Sequence, residues 1–310
     1  MLRWSADRLR RSVLYVPGIN ERALDKLHGL HCDAAILDLE DAVSPFKKNE
    51  ARELACEAAR KGFGAHKEIA IRINSLSTTW GRDDLAHVVS SAHAVVIPKV
   101  DSPNTLLEVA SIMDSLNAPR DMSIWAMIET PLGILNLSTI LATPHPRLSC
   151  LVAGTSDLSK ELRCVTTPCR HALVPSLAWI VLAARAHGLT SLDGVHLDLA
   201  NDADFAQQLN QGKELGFDGK TLIHPKVLID CLHDFSTIAA TNAVFSPSQN
   251  ELDDAQAIIA AYDEAVANGS GVALYQGKLI GTRPSRQNLH VDHARSVLAK
   301  AARIVDAMPL

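Results

Sequence analysis

The feature that most constrains the fold is the alternation of eight short apolar runs with segments long enough to form helices. Continuous apolar strands separated by helices of ten or more residues are typical of parallel strands covered on both faces. Eight such units favour a closed (β/α)8 TIM barrel over an open sheet. A doubly wound sheet should carry a G-x-G-x-x-G turn after its first strand, and this sequence has none there. The strands are predicted at residues 13–16, 34–40, 68–74, 94–100, 123–128, 150–153, 194–197 and 220–223.

About 85 residues follow the eighth predicted strand, more than a barrel needs to close. They contain two helical segments, residues 247–267 and 291–307, around a hairpin-like run at 272–280. The sequence therefore predicts a catalytic barrel over residues 11–235 and a C-terminal helical and hairpin extension over residues 236–310. We expect this extension to act as a lid on the mouth of the barrel or to reach a neighbouring subunit. Within the barrel, Ser102 is predicted to cap the helix that starts at Pro103.

The composition excludes several classes of function. Of the 310 residues, 47% are hydrophobic, which is enough for a large core, and the formal net charge is −5. No basic stripe with interleaved aromatic residues is present, so nucleic-acid binding is not expected. No apolar run approaches the roughly 20 residues that span a bilayer, and no secretory signal is recognisable. The six cysteines are scattered without zinc spacing, as expected of reduced cysteines in a cytoplasmic protein.

Charged side chains follow the predicted strands at the ends that form one rim of the barrel. Active sites of such barrels lie at the carboxyl ends of the strands, so these residues are the candidates for function. A single charged residue at a strand end is more often solvated surface, but a whole set on one rim indicates a site. The set comprises Asp38, Glu40, Asp41, Arg72, Lys99, Glu129 and Asp157.

The residue types in this set fit a metal site with an adjacent anion site. Glu129 and Asp157 supply two hard oxygen ligands, which suit Mg²⁺, with Mn²⁺ as an alternative. Arg72 offers a planar fork to a carboxylate or a developing enolate oxygen. An acid pair neutralised by Arg72 or Lys99 is the structural alternative. We predict that metal-bound waters are oriented by the side chains of Asp38, Glu40, Asp41 and Lys99.

The turn after the sixth strand is a second candidate for anion binding. Gly154 lacks a side chain, which would let the backbone N–H groups around Thr155 and Ser156 approach a substrate. A glycine required only by the turn is an equally good explanation. Substrate-binding roles are therefore predicted for Gly154, Thr155 and Ser156, together with Arg72 and Glu129.

Six ordered motifs resemble the citrate lyase β-subunit-like family, which includes citryl-, malyl- and citramalyl-CoA lyases of the HpcH/HpaI aldolase superfamily. The resemblance extends from about residue 11 to residue 280. It implies a magnesium-dependent barrel in which Glu129 and Asp157 bind the metal and Arg72 contacts substrate. The motifs are LDLEDAV at 37–43, IRIN at 71–74, IPKV at 97–100, IETP at 128–131, GTSDL at 154–158 and IHP at 223–225.

The resemblance also implies a substrate and a reaction. The substrate would be a thioester of coenzyme A or of an acyl carrier protein, and Tyr15 and Lys26 resemble the segment of the family that contacts coenzyme A. A 3-hydroxy-3-carboxyacyl thioester would be cleaved to an acetyl thioester and a 2-oxo acid, with citramalyl-CoA slightly favoured over malyl- and citryl-CoA. A homo-oligomer, trimer or hexamer, is implied as well.

The sequence departs from the family after the hairpin, where Gly281 stands in place of an acid that some relatives contribute from the lid. Asp292 could substitute only if the loop folds back. This departure puts the proton-transfer step of condensation or thioester hydrolysis in question. Two other functions stay open: a class II pyruvate-type aldolase that uses a free aldehyde, and a non-catalytic acyl-CoA-binding barrel or subunit of a larger lyase complex.

Overall fold

The computed structural model of the protein describes residues 8–143, 145–225, 227–230, 233–281 and 288–307. By their contacts the residues form two compact units, divided between Phe245 and Ser246. The first unit contains eight parallel strands that pair in sequence order and close because β1 pairs with both β2 and β8. The predicted (β/α)8 barrel is thus confirmed. The strands are β1 Ser12–Pro17, β2 Ala34–Asp38, β3 Glu68–Arg72, β4 Ala94–Ile97, β5 Ser123–Ile128, β6 Leu148–Ala153, β7 Thr190–Asp193 and β8 Gly219–Leu222.

Helices connect the strands and cover the outside of the barrel. Several end where glycine adopts a left-handed conformation that other residues rarely reach, as at Gly188 (φ 67°) and Gly216 (φ 94°). The helices of this unit are α1 Glu21–Lys26, α2 Lys48–Lys61, α3 Gly81–Val88, α4 Pro103–Ser115, α5 Pro131–Leu135, α6 Leu137–Ala142, α7 Thr155–Glu161, α8 Val174–His187, α9 Asp202–Leu215 and α10 Thr237–Val244. A short antiparallel pair, β9 Val227–Asp230 and β10 His233–Ser236, precedes α10.

The interior of the barrel is a packed core. Successive residues of a strand point to opposite faces of the sheet, so every second residue faces inward. The inward residues form one buried cluster in which small alanines lie around a large tryptophan. The outward residues join the helices in a larger cluster. The inward cluster comprises Val13, Ala34, Ile36, Ala70, Ala94, Val96, Trp125, Met127, Cys150, Val152 and Leu192.

Two local predictions were wrong, and the eighth strand is shifted by a single residue. The seventh strand is Thr190–Asp193, and the segment predicted for it, residues 194–197, follows the strand. Its polarity concealed it: Asp193 is fully buried because Arg170 and Lys220 neutralise it at 2.8 Å. The eighth strand begins at Gly219 and ends at Leu222. Ser102 makes no capping hydrogen bond through its side chain, because its hydroxyl lies beside that of Thr105 at 3.3 Å.

The second unit consists of two helices and a hairpin. Helix α11 (Gln249–Ala267) begins with a capping box between Ser248 and Glu251, and helix α12 (Leu289–Asp306) packs against it. The hairpin pairs β11 (Val272–Tyr275) with β12 (Lys278–Gly281). The polar stretch after Gly281, residues 282–287, lies outside the described residues. Within the described ranges, no helix is both long and apolar enough to cross a membrane.

Candidate active site

The predicted site residues lie at the carboxyl ends of neighbouring strands. Asp38 and Arg72 are the last residues of β2 and β3, and Glu129 comes directly after β5. Lys99 lies two residues beyond β4, and Asp157 is in the first turn of α7, after β6. All five therefore share the rim where barrel enzymes place their chemistry.

The two-residue period of the strands decides which of these side chains point into the mouth of the barrel. Glu129 continues the inward row of Trp125 and Met127, and Arg72 continues the inward row of Ala70. Both side chains are buried, with only 3% of Glu129 and 7% of Arg72 exposed. The floor of the site is therefore the top layer of the core.

Three acids of the segment after β2 hold Arg72. Its Nε and Nη2 donate to the two carboxylate oxygens of Asp38 at 2.7 and 2.6 Å. Its Nη1 lies 2.9 Å from Oε2 of Glu40 and donates to Asp41 at 3.3 Å. Asp38 and Arg72 are register partners in the parallel ladder, which is why the fork meets the carboxylate. In this structure the acids predicted to orient metal-bound waters hold the guanidinium instead.

Tyr15 lies beneath this arginine. The guanidinium is 5.1 Å from the centre of the Tyr15 ring, and the phenol donates to the sulfur of Met127 at 3.6 Å. Burial raises the pKa of the Tyr15 phenol, so this residue stays neutral. The cation–π contact and the carboxylates together fix the plane of Arg72.

Glu129 is a buried carboxyl group with no cationic side chain of the described residues within ion-pair distance. Its Oε1 accepts a hydrogen bond from the backbone N–H of Lys99 at 2.8 Å. Lys99 adopts a left-handed backbone (φ 50°), unusual for a side-chain-bearing residue, which is a local strain at the site. Burial raises the pKa of Glu129 to about 7. No ion pair found in the described part of the chain includes Glu129.

Asp157 has two lysines beside it. Nζ of Lys99 lies 3.4 Å from its Oδ2, and Nζ of Lys160 donates to its Oδ1 at 3.2 Å. Burial alone would raise the pKa of Asp157, but the Lys160 hydrogen bond and the Lys99 charge outweigh it and lower the pKa. The charge of Asp157 in turn contributes to the raised pKa of Glu129. Lys99 thus offsets the negative charge of this side of the rim.

Gly154 makes room for Glu129. A Cβ atom at this position would lie 2.5 Å from Oε2 of Glu129, closer than atoms can approach. The adjacent Thr155 is buried against Gly194, and its hydroxyl donates to the carbonyl of Val195 at 3.5 Å. Thr155 and Ser156 begin α7, whose first helical hydrogen bond comes from Leu158.

The donor set has two protein carboxylates. Among the described residues, no three side chains of His, Cys, Asp or Glu are grouped as a metal cage. A cation at this rim would take Glu129 and Asp157 and complete its shell with water and substrate oxygens. That donor set fits Mg²⁺, which commonly keeps one or two carboxylates, whereas zinc prefers three or four nitrogen and sulfur ligands.

Two residues named in the sequence analysis lie apart from this cluster. Lys26 is exposed at the end of α1, and His224 is exposed after β8, where its carbonyl accepts a hydrogen bond from Thr237. Sequence reasoning missed Lys48, whose Nζ donates to the carbonyls of Leu39 and Glu40. The sequence did contain a signal for it. A lysine at the start of a helix is unfavourable because it lies at the positive end of the helix dipole, so its presence there suggests another role.

The comparisons with known proteins agree with this geometry. The family model of HpcH/HpaI aldolase/citrate lyase matches residues 11–225, most of the barrel unit. The chain belongs to the HpcH/HpaI aldolase/citrate lyase family.

Relatives of this family match along nearly the whole chain. The (3S)-malyl-CoA thioesterase of Cereibacter sphaeroides is 43% identical over 295 residues, which cover 95% of each chain. Citrate lyase subunit beta of Escherichia coli is 33% identical over 300 residues, covering 95% of this chain and 94% of that one. These relatives are a thioesterase and a subunit of a lyase. The chain therefore belongs to a family of enzymes.

A solved structure shows the same fold. The CitE protein of Mycobacterium tuberculosis, in complex with magnesium, acetoacetate and coenzyme A, superposes with a TM-score of 0.68. The two sequences are 24% identical, and the match covers 97% of this chain and 100% of that one. The HpcH/HpaI match includes every barrel residue of the site described above, from Tyr15 to Asp157.

Proposed function

We propose that the protein is a magnesium-dependent lyase that cleaves a carbon–carbon bond in a 3-hydroxy-3-carboxyacyl thioester. The products would be an acetyl thioester and a 2-oxo acid, and citramalyl-CoA is the slightly favoured substrate over malyl-CoA and citryl-CoA. The observation that carries this proposal is the pair of opposite features on one rim. One is a guanidinium fixed by three acids, and the other is a buried carboxyl group that forms no ion pair with any described residue.

Glu129 and Asp157 would hold the metal. Burial disfavours the ionised form of Glu129, as its raised pKa indicates, and a divalent cation would supply the missing countercharge. Mg²⁺, or Mn²⁺ in its place, would act as a Lewis acid on the carboxylate and hydroxyl oxygens of the substrate. The CitE relative was solved with magnesium, which supports the same cation here.

Arg72 would bind the oxygen that gains negative charge. Its Nε and one Nη2 hydrogen bind Asp38, and its Nη1 faces Glu40 and Asp41, so the second Nη2 hydrogen is left for substrate. A donor that is already fixed in place need not reorganise as the charge develops, which is the most effective form of electrostatic stabilisation. Asp38 and Tyr15 would act through Arg72 by fixing its plane.

The reaction requires a proton acceptor and a proton donor. The substrate hydroxyl loses its proton, the bond to the thioester α-carbon breaks, and its electron pair forms the enolate of the acetyl thioester, which is then protonated at carbon. Glu40 is placed to exchange these protons, because burial raises its pKa to about 7 and its carboxylate lies beside Arg72. We assign it that role.

The thioester would be carried by coenzyme A, as the CitE complex suggests, with an acyl carrier protein as the alternative. Lys26 is an exposed cation after β1 and would contact a phosphate of the carrier. Gly154, Thr155 and Ser156 would border the acyl group where α7 begins. The protein is proposed to form a homo-oligomer, trimer or hexamer, in which residues 236–310 serve as a lid.

A second candidate function is hydrolysis of a malyl thioester. The 43% identity with malyl-CoA thioesterases favours it, whereas Gly281, where some relatives carry an acid, favours cleavage over hydrolysis. The aldolase that uses a free aldehyde and the non-catalytic acyl-CoA-binding barrel, alone or within a larger lyase complex, are the remaining alternatives.

One experiment separates these functions. The purified protein is incubated with Mg²⁺ and each of citramalyl-, malyl- and citryl-CoA, and the products are quantified by chromatography. Acetyl-CoA with an equal amount of 2-oxo acid indicates the lyase. Free coenzyme A with the intact hydroxy acid indicates the thioesterase. Binding without turnover indicates the silent barrel, and turnover of a free aldehyde with pyruvate indicates the aldolase.

A further inference from the structure

Lys48 is a buried ammonium group that makes its hydrogen bonds to neutral groups. Its Nζ donates to the carbonyl of Leu39 at 2.8 Å and to the carbonyl of Glu40 at 2.6 Å, and it lies 5.6 Å from the centre of the Trp80 ring. Only 6% of the residue is exposed, and burial lowers the pKa of its ammonium group. Among the described residues, no carboxylate lies within ion-pair distance of it.

A cation at this position is unfavourable in free energy. Lys48 is the first residue of α2, where the helix dipole is positive, and its charge has lost most of its contact with water. A methionine of similar length could fill the same space without either cost. What a methionine could not do is donate to the two carbonyls that Nζ of Lys48 binds.

The segment that Lys48 holds is the one that binds Arg72. The carbonyls of Leu39 and Glu40 belong to the same short segment as the side chains of Asp38 and Glu40, which bind three nitrogens of Arg72. The amide of Asn74 donates to the Leu39 carbonyl from the other side, at 3.0 Å. Lys48 and Asn74 together fix the backbone from which the acids reach the guanidinium.

Lys48 also balances charge. Asp38, Glu40 and Asp41 bring three carboxylates to one guanidinium, and their attraction to the Lys48 ammonium opposes the effect of burial on its pKa. The fourth acid that acts on Lys48 is Asp84, which is itself paired with Arg52 at 2.7 Å. Without Lys48, the three carboxylates around Arg72 would repel one another with less compensation.

We propose that Lys48 is a positioning residue for Arg72, which it holds through the backbone of the 39–40 segment and the carboxylates of Asp38 and Glu40. This inference rests on the proposed function only in giving Arg72 a role in the reaction. The geometric part, that Lys48 sets the position of Arg72, stands without it.

The chain provides a matched control in Lys67. It is 8% exposed, burial lowers its pKa, and its Nζ donates to two backbone carbonyls, those of Leu27 and Leu30. It precedes β3, whereas Arg72 ends that strand, so the control lies at the opposite end of the barrel. Lys67→Met therefore removes the same kind of buried ammonium far from the site.

The test compares Lys48→Met, Lys48→Arg and Lys67→Met in the full chain. The first readout is solvent exchange of the Arg72 Nε–H by ¹⁵N NMR, assigned by its loss in Arg72→Lys. The second is kcat and KM for the thioester that the wild type cleaves. We expect Lys48→Met to raise the exchange rate and lower kcat by about tenfold each, with KM little changed, because a hydrogen bond to a charged group is lost. Lys48→Arg should restore part of both.

Equal exchange rates and equal kcat in Lys48→Met and Lys67→Met would overturn the proposal. The exchange rate does not depend on any reaction, so faster exchange in a protein without lyase activity would refute the proposed function and support the positioning role. If Lys48→Met does not fold, Lys48→Gln, which keeps an N–H donor without the charge, replaces it with the same expected direction in both measurements.

Discussion

A Cβ atom on Gly154 would lie 2.2 Å from the Cβ of Glu129. Both residues continue inward rows of adjacent strands, β6 and β5, so a side chain at 154 and the glutamate would compete for one place. Glycine at 154 is therefore a condition for Glu129 to stand at the mouth of the barrel. The absence of a side chain at one position thus determines where the proposed metal ligand of the neighbouring strand can lie.

Gly154→Ala should therefore impair metal binding and turnover together. The added methyl group must push Glu129 from its place, and overpacking of this kind costs about 1–3 kcal/mol of stability. Titration with Mn²⁺ followed by electron paramagnetic resonance measures the affinity, and thermal unfolding measures the stability. Gly29→Ala is the control, since a Cβ there meets nothing within 4 Å. Unchanged Mn²⁺ affinity in Gly154→Ala would contradict the assignment of Glu129.

Asp157→Ala should abolish metal-dependent activity and leave the fold intact. The side chain is on the rim and 25% exposed, so its removal leaves no cavity in the core. Activity and Mn²⁺ binding are measured beside circular dichroism of the folded protein. Glu161→Ala, at the other end of the same helix α7, serves as the matched control. Full activity of Asp157→Ala in the presence of a chelator would refute a metal at this site.

Arg72→Lys should lower kcat/KM by about 10²–10³, the usual cost of losing one aligned donor to a developing charge. A lysine cannot keep both bonds to Asp38 together with the contact to Glu40. Arg10→Lys is the control, because Arg10 forms the same fork with an inward carboxylate, Glu68, at 2.7 and 2.9 Å at the other end of the barrel. We expect that variant to lose stability and to keep kcat. Near-native turnover of Arg72→Lys would show that its fork is not used.

The stability of the metal-free protein should fall as the pH rises from 4.5 to about 7. The pKa of Glu129 is about 7 in the folded protein against an ordinary value of 4.5, so the folded state holds this proton more tightly than the unfolded state. The cost in stability is absent below pH 4.5, grows between pH 4.5 and pH 7, and is complete above pH 7. Urea unfolding at several pH values measures this slope. Glu129→Gln should make the slope shallower and leave the share of Glu40, whose pKa is also raised to about 7. Saturating Mg²⁺, which favours the Glu129 carboxylate, should make the slope shallower as well.

The sequence predicted the eight-stranded barrel and the rim for one reason. Parallel strands all end on the same side, so polar residues at the ends of apolar runs must meet, whatever the exact lengths of the strands. The sequence alone could not predict which residue each acid contacts. That Asp38 faces Arg72 depends on the register of β2 against β3, and the clearance at Gly154 depends on the register of β5 against β6.

Burial of charge explains the strand that was misplaced. Strand β7 ends in Asp193. An aspartate at this place in the sequence suggests a turn, whereas in the structure Arg170 and Lys220 pair with it inside the barrel. A hydropathy pattern cannot show that a carboxylate is neutralised by residues 23 and 27 positions away in the sequence. Lys48 escaped notice for the same reason, because its partners are backbone carbonyls that carry no sequence signature.

The hairpin is the segment through which we predict the balance between cleavage and hydrolysis can be tested. Gly281 is the last residue of β12 and pairs with Val272. The family resemblance implies an acid at this position in some relatives. Cleavage needs a base only for a hydroxyl that a bound metal would already acidify, whereas hydrolysis needs a further base to activate water. The wild type should therefore form acetyl-CoA from its substrate faster than it releases free coenzyme A.

Gly281→Asp should shift that ratio toward hydrolysis or condensation, because it returns a carboxylate to the hairpin. The measurement is the ratio of acetyl-CoA to free coenzyme A, with Gly271→Asp, before the first strand of the same hairpin, as the control for added charge. If the wild type already hydrolyses its thioester as fast as it cleaves the carbon–carbon bond, another residue supplies the base. Asp292, in the first turn of α12, is then the first to replace by asparagine. A loss of hydrolysis alone in that variant would transfer the role of the lid acid from position 281 to Asp292.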